Sequence, residues 1–291
     1  MAENNLQKLK FAFIGSGTMA EAMISSLIHQ GLSEPQNIYA TGPRVDRGHQ
    51  LHKLFGINPD TNNSKAASLA DVVVLSVKPQ RLNAVLEGLH ETIKSSAFVL
   101  SIVAGASIAK ISKGLAHNAI IRAMPNTPAQ IGAGITVWTA SESISNDQLD
   151  QTRKILGAMG DEIYLEDETY LDMATALSGT GPSYVFLFME ALIDAGVHLG
   201  FPRRIAEQLV IKTIQGSLEF YTKSDLHLSA LRNAVTSPGG TSAEALYFLE
   251  KAGFRTAISR AIWAAYERSL ELGYETPGNA PDDNVSKKKD Q

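Results

Sequence analysis

The sequence predicts an α/β protein: an N-terminal Rossmann-type, doubly wound parallel sheet followed by an all-helical domain. Three observations carry this. Short apolar runs alternate with helical patterns from residue 10 to about 166, as strand–helix–strand units with a parallel sheet do. A glycine-rich turn, Gly15-Ser16-Gly17-Thr18-Met19-Ala20, follows the first run. Strand signals stop near Glu168, and long helical segments take over.

Residues 11–14 read as a buried strand, 19–30 as the helix after it, and 37–41 as a second strand. The run 71–77 (DVVVLSV) is continuously apolar, the mark of a strand buried on both faces. Residues 98–103 and 119–123 are two more strands. Residues 135–139 and 162–165 add strands around a helix at 147–158. The second part holds helices at 183–199, 203–221 and 256–270. Ala206, Val210, Thr213, Ile214, Ser217, Leu218 and Tyr221 share one face of the middle one. The expected division is 1–167 for dinucleotide binding, 168–275 for substrate and dimerisation, and a disordered tail at 276–291. Phe186, Phe188, Met189, Leu192 and Ile193 nearly encircle their helix. A subunit interface, most simply a twofold dimer, would bury that excess.

Composition narrows the function. The 291 residues are 44% hydrophobic and 19% charged, with formal net charge −4. A mild acidic excess gives no reason to expect nucleic acid or an anionic membrane as partner. There is no cysteine, which excludes disulfides, thiol catalysis and Cys-ligated metal and fits a cytoplasmic protein. The seven histidines form no H-E-x-x-H pattern; His49 and His52 read as solvated, and neither a metal nor a covalent intermediate is expected. No signal peptide is legible in the polar Met1-Ala2-Glu3-Asn4-Asn5 start. A membrane reading of 182–200 fails on Glu190, Asp194 and His198.

The turn at Gly15, Gly17, Thr18 and Met19 has the G-x-G-x-x-A form of a dinucleotide fingerprint. Its glycines permit a tight turn and close approach to a pyrophosphate, and Ala20 lets helix and strand pack. The second strand ends in Ala40-Thr41-Gly42-Pro43-Arg44 without the acid that NAD binders place there. Thr41 and Arg44 suit the 2′-phosphate of NADP(H) instead. Ser76-Val77-Lys78-Pro79 ends the DVVVLSV strand where ligand-facing groups belong, so Lys78 is a candidate for phosphate or ribose. Ala104 and Gly105 end the next strand, where small residues leave room for a flat ring. Arg122-Ala123-Met124-Pro125-Asn126-Thr127-Pro128 makes a stiff turn. Asn63 is a candidate for the adenosine ribose; taken alone, it is a bare asparagine in a loop. Ser178-Gly179-Thr180-Gly181-Pro182 opens the first long helix and either walls a site or simply caps the helix.

The last motif is Thr236-Ser237-Pro238-Gly239-Gly240-Thr241-Ser242, followed at once by helix-forming residues. Hydroxyls flank a Pro-Gly-Gly turn, and a new helix start adds free N–H groups and a positive dipole end. That is a pocket for a small carboxylate.

Together FIGSGTMAEAM, SVKPQ, IVAGASI, RAMPNTP, LSGTGPSYVF, GFPRRIA and VTSPGGTSAEAL resemble pyrroline-5-carboxylate reductase over about residues 9 to 273. The resemblance implies reduction of a cyclic imine carboxylate to L-proline by NAD(P)H. It implies cofactor on Gly15, Gly17, Thr18, Met19, Asn63, Val77, Lys78, Pro79, Ala104 and Gly105. It places substrate carboxylate on Thr241 and Ser242 with Ser237 and Gly240 nearby, and assigns Glu168 and Asp225 as acids near the substrate. The proton on nitrogen would come from the hydroxyl of Thr241 or Ser242, from a water, or from iminium already formed in solution, and the site is expected where the two domains meet. Dimers, often joined into decamers, are implied too. Ser242 stands where the family usually has Thr, Asp225 where it has Glu, and Thr180 where Ser is common. A hydroxyacid dehydrogenase of similar layout would need a lysine on helix 183–199, which has none. A non-enzymatic NADP-binding protein would lack the Pro-Gly-Gly hydroxyls, which are present.

Overall fold

The computed structural model describes residues 5–274. The strands are β1 (Phe11–Ile14), β2 (Ile38–Thr41), β3 (Asn58–Asp60), β4 (Val72–Leu75), β5 (Phe98–Ser101), β6 (Ile120–Met124), β7 (Gly134–Ala140) and β8 (Gly160–Tyr164). The helices of the first part are α1 (Thr18–His29), α2 (Val45–Phe55), α3 (Asn63–Leu69), α4 (Leu82–Leu89), α5 (Ile108–Leu115), α6 (Asn146–Gly157) and α7 (Tyr170–Ala174). Then come α8 (Gly181–His198), α9 (Arg203–Thr222), α10 (Leu228–Ala234), α11 (Thr241–Lys251) and α12 (Phe254–Tyr274).

The strands form one sheet in the order β3-β2-β1-β4-β5-β6-β7-β8. Side chains alternate across it, as strand geometry requires. Phe11 and Phe13 pack with Met23, Ile24 and Leu27 of α1 on one face. Ala12 and Ile14 pack with Ala66 of α3 and Leu82 and Leu86 of α4 on the other. Both faces are therefore covered, which explains why β1 and β4 are wholly buried apolar runs. Strand order reverses direction about β1, so the ligand crevice of such a sheet lies at the carboxyl ends of β1 and β4.

The expected parallel sheet is found from β3 through β6. β7 runs antiparallel to β6, and β8 is parallel to β7. The connection 125–133 holds only a 3₁₀ turn, Thr127–Ile131, whereas a parallel return needs a crossover of about a dozen residues or more. The sheet is mostly parallel, with its last two strands reversed.

The described residues divide into a sheet unit, 5–179 with 265–274, and a helical unit, 180–264. This differs from the expected boundary at 167/168, and side chains explain why. Leu171 and Ala176 are buried. Asp172 Oδ1 accepts from Arg122 Nη2 of β6 at 2.9 Å and from Ser269 Oγ of α12 at 2.6 Å. Residues 168–179 and the end of α12 thus belong with the sheet. The expected tail at 276–291 lies outside the described residues. Among the described residues one helical run, Tyr170–His198, is long and apolar enough to cross a membrane by composition; its first turns carry the ion-paired Asp172.

Within the helical unit, α8 and α9 lie side by side, and a Cβ on Gly196 would sit 3.0 Å from Ala206 Cβ. Only Ala206 and Leu231 of its apolar residues are buried, and α8 has no buried residue. On the expected face of α9, Val210 and Ile214 are half-buried, while Leu218 and Tyr221 are exposed. A single copy of this unit has almost no core.

Candidate active site

The fingerprint turn is fixed by contacts that only glycine allows. Gly15 has φ +105°, and a Cβ there would lie 2.7 Å from Ser76 O. Its N–H donates to Thr41 O at 3.1 Å, and Ser76 Oγ donates to Gly15 O at 2.8 Å. The turn is thereby tied to the ends of β2 and β4. Gly17 differs: it is the N-cap of α1, extended, with no side-chain cap and nothing within 4 Å of a built Cβ. The first helical bond is Glu21 N to Gly17 O, so the N–H groups of Thr18 and Met19 have no acceptor in the helix. Free N–H groups, a helix dipole and an open approach fit a pyrophosphate.

Beside the turn lie two cavities, of about 290 and 280 Å³, both lined by Ser16 and Arg44. Arg44 precedes α2, is exposed, and has no partner among the described residues. Arg47 is committed elsewhere. It pairs with Glu21 and donates through Nε to Ser16 O at 3.0 Å and through Nη1 to Gln50 at 2.7 Å. Arg44 thus brings to these cavities a charge without a partner among the described residues. Asp60 also lines the larger cavity. The Asn62 N–H, and after it the Lys65 ammonium at 2.9 Å, hold its carboxyl below the ordinary value.

Other expected residues turn out otherwise. Thr41 is fully buried, and its hydroxyl donates to Asn63 Oδ1 at 2.6 Å; it cannot touch a phosphate. Gly105 is buried with φ +72°, and a Cβ would lie 2.6 Å from Ser269 O and 2.9 Å from Gly273 N. Its small size serves the approach of α12, not a flat ring. Ala104 beside it is half-buried. Glu168 is engaged within the sheet unit, its Oε1 accepting from Ile108 N at 2.8 Å and from Arg122 Nη1 at 3.0 Å. Lys78 is exposed, between the half-buried Val77 and Pro79. Arg122, Asp172 and Ser269 escaped sequence reasoning. An arginine inside the apolar Ile120–Met124 strand was the one local sign, since a buried cation needs a partner.

In the helical unit, Gly240 N–H donates to Ser237 O at 3.0 Å and Gly239 has φ +71°. Proline second and a positive-φ glycine third make the turn. Gly240 is the extended N-cap of α11, with no side-chain cap. The first helical bond is Glu244 N to Gly240 O at 3.2 Å, so the N–H groups of Thr241, Ser242 and Ala243 have no acceptor in the helix. Ser237 and Thr241 are exposed and Ser242 half-buried, and none of their hydroxyls has a partner among the described residues. Thr236 is different: its hydroxyl donates to Arg232 O. Asp225 is exposed in the α9–α10 connection, with no bond to this turn. Among the described residues no group of three or more His, Asp or Glu side chains could hold a metal.

A fingerprint turn on a mostly parallel sheet, in a chain whose helical unit has a turn of free N–H donors of its own, is the layout of a dinucleotide-dependent oxidoreductase. Comparison with known proteins narrows the class. The family model for pyrroline-5-carboxylate reductase dimerisation matches residues 168–272, and that for NADP oxidoreductase, coenzyme F420-dependent, matches 10–105. The chain is 41% identical to pyrroline-5-carboxylate reductase of Synechocystis over 91% of its length and 98% of the relative's. It is 35% identical to the Escherichia coli protein of that name, over 90% and 98%. The crystal structure of Plasmodium falciparum pyrroline carboxylate reductase with NADP bound superposes with TM-score 0.86 at 33% identity, covering 92% of this chain and 99% of that one. The Streptococcus pyogenes enzyme gives 0.84 at 28% identity, over 90% and 98%. The chain belongs to the pyrroline-5-carboxylate reductase family.

Proposed function

We propose how this chain carries out its family's reaction, the NAD(P)H-dependent reduction of 1-pyrroline-5-carboxylate to L-proline that ends proline biosynthesis. The observation that carries the reading is the turn before α11. It offers three N–H groups without acceptors in the helix and, around one glycine N-cap, three hydroxyls without a partner among the described residues. A carboxylate accepts from such donors in short, charge-assisted bonds, and the dipole of the helix favours its charge. Ser237, Gly240, Thr241 and Ser242 hold the substrate carboxylate. Asp225 is the acid of this unit near the substrate.

Gly15, Gly17, Thr18 and Met19 hold the pyrophosphate, Asn63 the adenosine ribose, and Arg44 the 2′-phosphate, so NADPH is preferred over NADH. Val77, Lys78, Pro79 and the backbone at Ala104 complete the cofactor's seat. When bound, the reduced nicotinamide supplies a hydride to the imine carbon. The ring nitrogen gains one proton, either from solution or from the hydroxyl of Thr241 or Ser242. The protein's part is orientation and charge placement, without a metal or a covalent intermediate.

The exposed apolar faces of α8, α9 and α12 support a homodimer, since a second copy would bury them. Association of dimers into a decamer and a cytoplasmic location belong to the same proposal. The direct test is NADPH oxidation by the purified chain with 1-pyrroline-5-carboxylate, with proline measured as product. Cofactor binding without imine-dependent oxidation would overturn it.

A further inference from the structure

Thr41 ends β2 at the carboxyl edge of the sheet, and its side chain is fully buried. Its Oγ1 lies 2.6 Å from Asn63 Oδ1 and 3.3 Å from Phe13 O. A threonine hydroxyl has one proton to donate. A separation of 2.6 Å is that of an O–H···O bond; an amide N–H would stand about 0.3 Å further off. The proton therefore lies toward Asn63, and the inward atom of that amide is its oxygen. Nδ2 is then the outward atom, carrying two N–H donors with no protein partner among the described residues. Asn63 is the first residue of α3, just past β3, on the same edge of the sheet as the fingerprint turn.

We infer that Thr41 is a positioning residue for cofactor binding: its buried hydroxyl fixes the Asn63 amide so that the NH₂ group faces ligand oxygens. This rests on the reading that Asn63 meets the adenosine ribose. Ribose hydroxyls donate and accept alike, and the held amide offers them its two N–H donors in one fixed orientation. An unheld amide would divide its time between two flips and lose that pre-organisation on binding. Thr41 also accepts the Gly15 N–H on its carbonyl. One residue thus pins both the fingerprint and the ribose contact.

Thr41→Val keeps the branched shape and removes the hydroxyl. It should raise the KM for NADPH about three- to tenfold, the worth of one hydrogen bond, with the KM for the imine moved less than about twofold. Thr41→Ser, which restores the hydroxyl, should return the NADPH value to near wild type. Thr41→Ala, free of the steric risk of valine, must give the same split. In an Asn63→Ala background, Thr41→Val should add nothing. Thr41 variants that leave the KM for NADPH unchanged while Asn63→Ala raises it would overturn this inference alone. An Asn63→Ala variant that binds NADPH normally would overturn the ribose reading and the inference with it. Equal rises in both KM values would mark Thr41 as merely structural, and would overturn the inference too.

Discussion

Ser242→Ala isolates the carboxylate turn from the rest of the protein. Ser242 is half-buried and its hydroxyl has no partner among the described residues, so its removal breaks no hydrogen bond among them. The serine also does not cap α11, whose N-cap is Gly240. Serine to alanine in the first helical turn changes helix propensity by a few tenths of a kcal/mol at most, in alanine's favour. The melting temperature should therefore stay within about 2 °C of wild type. Binding is another matter. A hydrogen bond to a charged group is worth about 1.5–3 kcal/mol, which is about 10- to 150-fold in affinity. The backbone N–H groups of Thr241, Ser242 and Ala243 remain, so the lower half of that range is expected. Steady-state rates with each substrate varied in turn should show the KM for the imine rising about 10- to 30-fold and the KM for NADPH less than twofold. A parallel rise in both, or a large drop in melting temperature, would refute the reasoning, because each would mean that the hydroxyl supports structure rather than substrate.

Arg44→Glu should raise the KM for NADPH at least about tenfold and the KM for NADH much less; identical responses would remove the 2′-phosphate from Arg44. Arg47→Ala should instead lower thermal stability with no change in the NADPH-to-NADH ratio, since Arg47 ties Ser16, Glu21 and Gln50 together. Gly105→Ala should destabilise by more than about 2 kcal/mol, from left-handed strain and overlap with α12 backbone; an unchanged melting curve would mean that α12 does not lie there. Phe186→Asp, on the exposed face of α8, should abolish the dimer in light scattering on a size-exclusion column, and a wild-type chain that runs as a monomer at micromolar concentration would refute the interface.

The sheet was legible because burial on both faces leaves a plain record: Val72, Val73, Val74 and Leu75 could hardly be anything else. The fingerprint was legible because strand, glycines and helix stand in one short segment. The reversal at β7 was recorded too, in a connection at 125–133 too short and too rich in proline for a crossover, but alternation of runs does not encode strand direction. Thr41 and Gly105 misled for a shared reason. Each is a small residue at a strand end, which reads as ligand-facing, yet each faces protein brought in by the chain's path. For Thr41 it is Asn63; for Gly105 it is Ser269 and Gly273 of α12. Glu168 was assigned to substrate from family pattern alone, and only the fold reveals that Arg122 and the Ile108 N–H already occupy its Oε1. Contacts made across such sequence distances leave little local trace in side-chain type; Arg122 inside an apolar strand was the one sign.

The fingerprint turn and the Pro-Gly-Gly turn share one construction. α1 and α11 each begin on an extended glycine N-cap with no side chain to satisfy the first N–H groups. α3, α5 and α6, by contrast, are capped by Asn62, Ser107 and Ser145. A cap side chain removes an orphan donor at a gain of about 1 kcal/mol. Omitting it leaves that donor for a ligand, and a glycine leaves the approach clear. The helix dipole alone contributes only about 0.3–1 kcal/mol to an anion at its end, too little to hold a small metabolite. What decides affinity is the number of directed donors that converge beside it: backbone N–H groups at both turns, hydroxyls at the second, and the Arg44 guanidinium near the first. Both turns forgo local helix stability and leave donors open, and on the proposed reading the same physics serves the pyrophosphate in the sheet unit and the carboxylate in the helical one.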